Sequence, residues 1–413
     1  MTAIPARVRA WGWFMNRFRS MHIATMSAAD ITHNQSMTHL AAPVRRAIFG
    51  RRDRRVRVDD RTIPPAPGSS TGIPIRIYWP VTPPAASAAS GPPAPSAPPG
   101  PPAVSAASGP SEPSEPSEPD RTTPPPFPTP TPLPLPIALY FHGGGWTLFG
   151  GLDVCDWLPS RVAAELGAIV VAVDYRLAPQ HPFPAAIDDS YAALQWVAAN
   201  AAHLGGNPAR IAVFGDSAGG NIAAVLSVLA RDAALAAPAS PAATTVAAPA
   251  APSESKAAAT PAIPAATADP ATPTIPHIAS QALIYPVTDT VLDDTSMLAN
   301  ARSPVLHRAD MAAFFDYYLG PDTASPTRMD ARASPARTQS LANLPPTLVQ
   351  LGAHDVLHDQ GRAFARRLEA EGTEVELITY PEAPHGWVTY PTIMRVSNRA
   401  TDGLVEFLRQ HLA

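Results

Sequence analysis

The stretch Gly215-Asp216-Ser217-Ala218-Gly219-Gly220 constrains this chain more than any other. It follows an apolar run at residues 211–214, which reads as a buried strand, and precedes an Ala-rich run at 221–230, which reads as a helix. A G-x-S-x-G turn between strand and helix is sharp. It holds its serine strained and exposed, and the glycines let the backbone bend where a Cβ would clash. A second Gly-rich stretch, His142-Gly143-Gly144-Gly145-Trp146, lies upstream and directly follows the apolar run 137–141, another expected buried strand. Backbone N–H groups of such a loop can approach an oxyanion that side chains would otherwise block. An isolated G-x-S-x-G match is often only a turn; the flanking strand and helix and the upstream loop together make Ser217 a candidate nucleophile.

A serine in such a turn needs a base, and the base needs an acid, expected in the chain order acid then histidine. Residues 348–352 read as a strand, with Asp355 just past its end. Residues 374–380 read as the next strand, with His385 following in Pro384-His385-Gly386-Trp387. Carboxyl ends of parallel strands converge on one crevice, so three residues distant in sequence can meet there. The roles follow from chemistry: Ser217 attacks an acyl carbon, His385 takes and returns the proton, and Asp355 fixes the His385 tautomer and stabilises the imidazolium.

Further motifs add to these: Asp174-Tyr175-Arg176-Leu177-Ala178-Pro179, Phe183-Pro184-Ala185-Ala186, Tyr285-Pro286-Val287-Thr288-Asp289, Leu344-Pro345-Pro346 and Asp355-Val356-Leu357-His358-Asp359. With them the chain, from about Val56 onward, resembles the hormone-sensitive-lipase family of α/β-hydrolase esterases. The resemblance implies an α/β fold, a mostly parallel central sheet with helices on both faces and an N-terminal cap. It implies an oxyanion hole from the N–H groups of Gly144, Gly145 and Ala218, and a serine carboxylesterase acting on short- to medium-chain acyl esters with no metal or organic cofactor. An amidase or deacetylase would use the same triad, and a non-catalytic small-molecule-binding member would share the fold. Two positions depart from the family pattern: Gln180 stands where a glutamate is usual, and Val356 where a proline is usual.

The chain has 413 residues, more than a minimal single domain needs, but two tracts, 82–134 and 234–276, are dominated by Pro, Ala, Ser and Thr. Such tracts have too little apolar surface to offset their ordering entropy. Setting them aside leaves roughly 260 residues from Val56 onward, the size of one catalytic domain spanning 56–413. A net charge of −4 offers no case for nucleic acid. The single cysteine, Cys155, excludes an internal disulfide and reads as a partly buried structural thiol.

Residues 1–55 place Arg7, Arg9, Arg17 and Arg19 among Trp11, Trp13, Phe14 and Phe18. They read first as cap helices or a flexible arm; a basic helix lying on a membrane surface is the less favoured reading. No signal-peptide core or run of about 18 apolar residues is evident, so the cytoplasm is the expected location. His354, His358 and Asp359 only loosely mimic metal-ligand spacing, and Asp359 is expected to cap a helix at 360–371. Arg176, Asp188 and Asp189 read as a structural charge cluster beneath the site. Trp146 and Trp387 read equally as pocket walls and as packing for the catalytic loops. Oligomeric state is not legible in the sequence.

Overall fold

The computed structural model describes residues 3–17, 22–35, 37, 40–81, 133–237 and 276–413. Eight strands run β1 (Val56–Ile63), β2 (Ile73–Pro80), β3 (Leu135–Phe141), β4 (Ile169–Val173), β5 (Gly206–Asp216), β6 (Ile278–Ile284), β7 (Thr347–His354) and β8 (Val375–Pro384). They form one sheet in the order β1-β2-β4-β3-β5-β6-β7-β8. β2 is antiparallel to both β1 and β4, and every later pairing is parallel. The helices are α1 (Ala6–Arg17), α2 (Ala28–Asn34), α3 (Ala42–Phe49), α4 (Trp157–Leu166), α5 (Ala185–Leu204), α6 (Ala218–Ala236), α7 (Thr295–Ala299), α8 (Arg308–Leu319), α9 (His358–Ala370) and α10 (Val396–His411).

The central strands are apolar on both sides because both faces are covered. Along β3, Ile137, Leu139 and Phe141 join the core that α5, α6 and α9 cover, with Leu194, Ile222 and Phe364. The alternate residues Ala138 and Tyr140 join the opposite core, with Leu158 and Val162 of α4 and Leu404 and Phe407 of α10. β1, at the edge, buries only its first and last residues, Val56 and Ile63.

Two sequence expectations need correction. The elbow helix does not stop at residue 230 but continues to Ala236, because Ala and Leu favour helix until Pro238 approaches. The second low-complexity tract therefore begins after the helix, and residues 234–236 belong to the fold. Asp359 is not a cap: α9 starts at His358 after Leu357, and the Asp359 carboxylate accepts the Ser296 N–H at 2.9 Å. An acid in the first turn still meets the positive end of the helix.

Residues 82–132 and 238–275, most of the two low-complexity tracts, lie outside the described residues. Their anchors are informative. Chain leaves after β2 and re-enters at the start of β3, and leaves after α6 and re-enters at the start of β6. The amino ends of the parallel strands, and the exit of a β2 antiparallel to them, lie at the end of the strands opposite the one that bears Asp216, His354 and Pro384. α6 is long and apolar enough to cross a membrane, but 67% of its most apolar window is buried inside the fold, as in a core helix.

Candidate active site

At the carboxyl end of β5 the chain turns into α6 through Ser217, whose φ of 57° and ψ of −117° lie outside the usual regions for a residue with a side chain. The turn is held from both sides. The Ser217 N–H donates to Ile284 O at 2.9 Å, and the Ser217 carbonyl accepts from Asn221 N–H at 3.0 Å and Val287 N–H at 3.2 Å. Strain stored at one residue persists only where its neighbours over-determine it.

Asp355 follows β7 and His385 follows β8, and the parallel register brings both ends beside Ser217. His385 Nδ1 donates to Asp355 Oδ2 at 2.7 Å, and His385 Nε2 stands 3.0 Å from Ser217 Oγ. A carboxylate can only accept, so the proton sits on Nδ1 and Nε2 is left to accept from the hydroxyl. Asp355 is fully buried, and its other oxygen accepts the Leu357 N–H at 3.0 Å. Ser217 and His385 are nearly so, at 7% and 6% exposure.

The Gly-rich loop after β3 lies alongside. Gly144 and Gly145 have φ of 109° and 59°, and a Cβ there would collide with Leu148 O and with the Phe314 ring respectively. Among the described residues, no carbonyl or side chain accepts from the N–H groups of Gly144, Gly145 or Ala218. The loop is braced from below: Tyr175 Oη donates to His142 O at 2.6 Å, and Ala178 N–H donates to Trp146 O at 2.8 Å. Arg176 holds that bracing segment through Nε and Nη2 bonds to the buried Asp189 at 2.8 to 3.0 Å. Asp189 makes the direct pair, whereas burial raises the neighbouring Asp188 carboxyl above the usual range.

Asp216, inside the elbow motif, has a role that the motif alone does not assign. Its carboxylate is the hub of the loop. Oδ1 accepts from Tyr140 Oη at 2.8 Å and Gly143 N–H at 3.1 Å, and Oδ2 accepts from Tyr285 Oη at 3.3 Å. Burial pushes the Asp216 carboxyl up, partly offset by the Tyr140 hydrogen bond. The same burial, with Asp216 beside them, holds the Tyr140 and Tyr285 phenols well above their ordinary value. The available signal was an acid inside an otherwise apolar strand-and-turn sequence.

Trp146 and Trp387 pack the loops and do not line the cavity. Trp146 is buried and stacks on Tyr318 at 4.4 Å; Trp387 is buried edge-on to Tyr285 at 4.3 Å. Cys155 is half-buried with Sγ 3.9 Å from Phe149 O, and burial pushes its thiol well up. Gln180 touches Gln35 and Thr32 of the N-terminal segment, at 2.8 and 3.0 Å. Val356 is fully buried, and its carbonyl accepts from Ser296 Oγ at 2.8 Å.

Ser217 and His385 open into a cavity of ≈ 80 Å³ whose apolar walls include Leu148, Val287, Leu306 and Phe314. Met15 and Ile23, from the N-terminal segment, complete the lining. Near its edge His22, His307 and Asp310 place their ligand atoms within 4.8 Å of one another. The two imidazoles stack at 4.2 Å with planes only 12° apart. Their in-plane lone pairs thus lie in separate, nearly parallel planes and do not converge on one ion.

The family described as alpha/beta hydrolase fold matches residues 138–389, which hold the elbow, the Gly-rich loop, Asp355 and His385. The chain belongs to this family. Its relatives agree with the hormone-sensitive-lipase resemblance read from the motifs. The alpha/beta hydrolase is 40% identical over 265 residues to carboxylesterase NlhH of Mycobacterium tuberculosis, covering 64% of this chain and 70% of that one. It is 33% identical over 275 residues to ethyl acetate hydrolase of Pseudomonas putida, covering 66% and 73%. Among solved structures, an esterase from Pyrobaculum calidifontis superposes with a TM-score of 0.62 at 27% identity, covering 89% of each chain.

Proposed function

We propose that this alpha/beta hydrolase is a carboxylic ester hydrolase that cleaves short- to medium-chain acyl esters through an acyl-enzyme on Ser217. One observation carries the reading: the hydrogen-bonded relay from Asp355 through His385 to Ser217, at 2.7 and 3.0 Å, opening into an apolar cavity. His385 Nε2 removes the Ser217 proton as Oγ attacks the acyl carbon. The carbonyl oxygen becomes an oxyanion facing the Gly144, Gly145 and Ala218 N–H groups, and His385 then protonates the departing alcohol. Water, deprotonated by the same Nε2, attacks the ester on Ser217 and releases the acid and the serine.

The carboxylesterase and ethyl acetate hydrolase relatives support an ester as the substrate. The ≈ 80 Å³ cavity supports a short acyl group, being small beside the about 300–1,000 Å³ of sites for drug-sized ligands. Residues 1–55 act in this reading as a cap over the catalytic domain 56–413, since Met15 and Ile23 help line the cavity. The test is a panel of p-nitrophenyl esters of increasing acyl length, run beside fluorophosphonate labelling mapped by mass spectrometry. We expect an adduct on Ser217, kcat/KM highest between butyrate and octanoate, and no jump in rate when substrate exceeds its solubility. An adduct elsewhere would remove the mechanism, and a strong interfacial jump on long-chain triglyceride would replace the esterase by a lipase.

A further inference from the structure

Ile23 forms part of the cavity wall, and it sits in a single helical turn, Ile23–Thr25. One carboxylate grips this turn on both sides of Ile23. His22 Nδ1 donates to Asp310 Oδ2 at 2.9 Å, and the Ala24 N–H donates to Asp310 Oδ1 at 3.3 Å. Asp310 is fixed in its turn by the His307 N–H, which donates to Oδ2 at 3.0 Å, and the His307 ring stacks on His22. Asp310 is 3% and His22 8% exposed, so these bonds are made away from competing water. Asp310 belongs to α8 and itself reaches the cavity lining, to which the same helix supplies Met311 and Phe314. Asp310 thus ties one wall of the cavity to another across 286 residues of chain.

We infer that Asp310 and His22 are positioning residues that set the acyl-length limit, by latching Ile23 against α8 as the wall of the acyl cavity. Neither touches the reacting atoms. His22, which is not part of the lining, acts through Ile23, and Asp310 acts through it from the cavity wall: with the latch closed, a longer chain meets a fixed branched side chain, and with it open the turn can give way. The inference deepens the ester-hydrolase reading and rests on it.

The experiment measures kcat and KM for butyrate and decanoate esters with the whole chain, in four variants: Ile23→Ala, His22→Ala, Asp310→Asn and His22→Ala/Asp310→Asn. The decanoate-to-butyrate ratio of kcat/KM counts only folded, active enzyme, so a partial loss of stability does not distort it. Ile23→Ala removes the wall and should raise the ratio roughly tenfold, in the range a few methylene contacts command. His22→Ala should raise it in the same direction, chiefly through a lower KM for decanoate. Asp310→Asn keeps one oxygen for the His307 N–H and His22 Nδ1, which spares the start of α8, but turns an amide NH2 on the Ala24 N–H, and so should raise the ratio by less than His22→Ala. The double variant should fall short of the product of the two single changes and not exceed Ile23→Ala, because both loosen one latch on one side chain. A His22→Ala ratio equal to that of the unaltered chain, with the Ile23→Ala ratio raised, would overturn the latch. So would singles that multiply in the double variant. Failure of the unaltered chain to take up fluorophosphonate at Ser217 would instead remove the ester-hydrolase reading itself.

Discussion

Ser217 and Ile23 line the same cavity but are held in different ways. Ser217 stands at a strand end, locked by backbone hydrogen bonds to Ile284 and Val287 of a distant segment and to Asn221 one helical turn on, and Asp355 and His385 likewise leave the ends of β7 and β8. Ile23 sits in a three-residue turn held by two bonds to one side chain and by apolar packing. Reacting atoms need placement within a fraction of an ångström, which a sheet supplies because each strand end is set by its neighbours' register. A wall that selects substrates needs only shape, and a short segment can be refitted to another acyl group without disturbing the sheet. Disruption should therefore cost rate on the catalytic side and change selectivity on the other.

The largest effect is expected at the relay. Ser217→Ala or His385→Ala should each lower kcat by up to roughly 10⁶-fold, and the pair together by no more, since they act as a unit. Steady-state rates on butyrate ester check this, and a double variant much worse than either single one would break the unit. Asp355→Asn should cost about 10⁴-fold in kcat with the fold intact, because the amide favours the wrong imidazole tautomer. Near-normal rates in Asp355→Asn, with Asp359→Asn inactive, would move the acid to Asp359.

A smaller effect is expected one layer below. Asp216→Ala leaves the Tyr140 hydroxyl, the Gly143 N–H and the Tyr285 hydroxyl without their buried acceptor, loosening the Gly-rich loop. We expect kcat to drop roughly 10- to 100-fold with KM little changed, and Asp216→Asn to recover most of it. A loss confined to KM would show that Asp216 shapes the cavity and does not place the loop.

Next comes a pH effect on stability. Burial holds His142 below its ordinary value, against the pull of Asp174 and Asp216. Burial and His22 also hold His307 down, with Arg302 adding to this and Asp310 opposing it. Both imidazoles are favoured neutral in the fold, while the unfolded chain takes up protons near about 6.5. Below that pH the unfolded state binds more protons, so stability present above it is lost as pH falls toward the depressed folded values. Tm should drop by a few °C between about pH 7.5 and about pH 5.5, and the drop should shrink in His307→Asn. A Tm that is flat across this window would sink the account.

The smallest effect is expected from the low-complexity tracts. Replacing 83–130 or 239–273 by short Gly/Ser bridges should leave kcat/KM within about twofold, because the chain re-enters at the amino ends of β3 and β6, away from Ser217 at the carboxyl end of β5. Loss of activity in either deletion would show that a tract reaches the cavity.

Much of the catalytic side was legible in the sequence because its signals are local. A turn that must bend sharply needs Gly215 and Gly219 next to Ser217, a backbone-lined loop needs Gly143 to Gly145, and an apolar run of four or five residues announces each strand that carries them. Helix α6 outran its expected end because low-complexity composition and helix propensity look alike in an Ala-rich stretch; only the packed partner shows where one becomes the other. The buried hub at Asp216 is marked locally only by an acid in an apolar turn, which does not tell its partners, and the packing role of Trp146 and Trp387 and the latch between His22 and Asp310 have no local mark. Each depends on groups between 69 and 288 residues apart meeting in space. Chain order and composition determined the fold and the order of nucleophile, acid and base, since those follow from backbone geometry and strand direction. Which polar groups share a buried acceptor, and which side chains close the cavity, was decided only in the tertiary structure, because burial and hydrogen-bond partnership are properties of neighbours in space and not of neighbours in sequence.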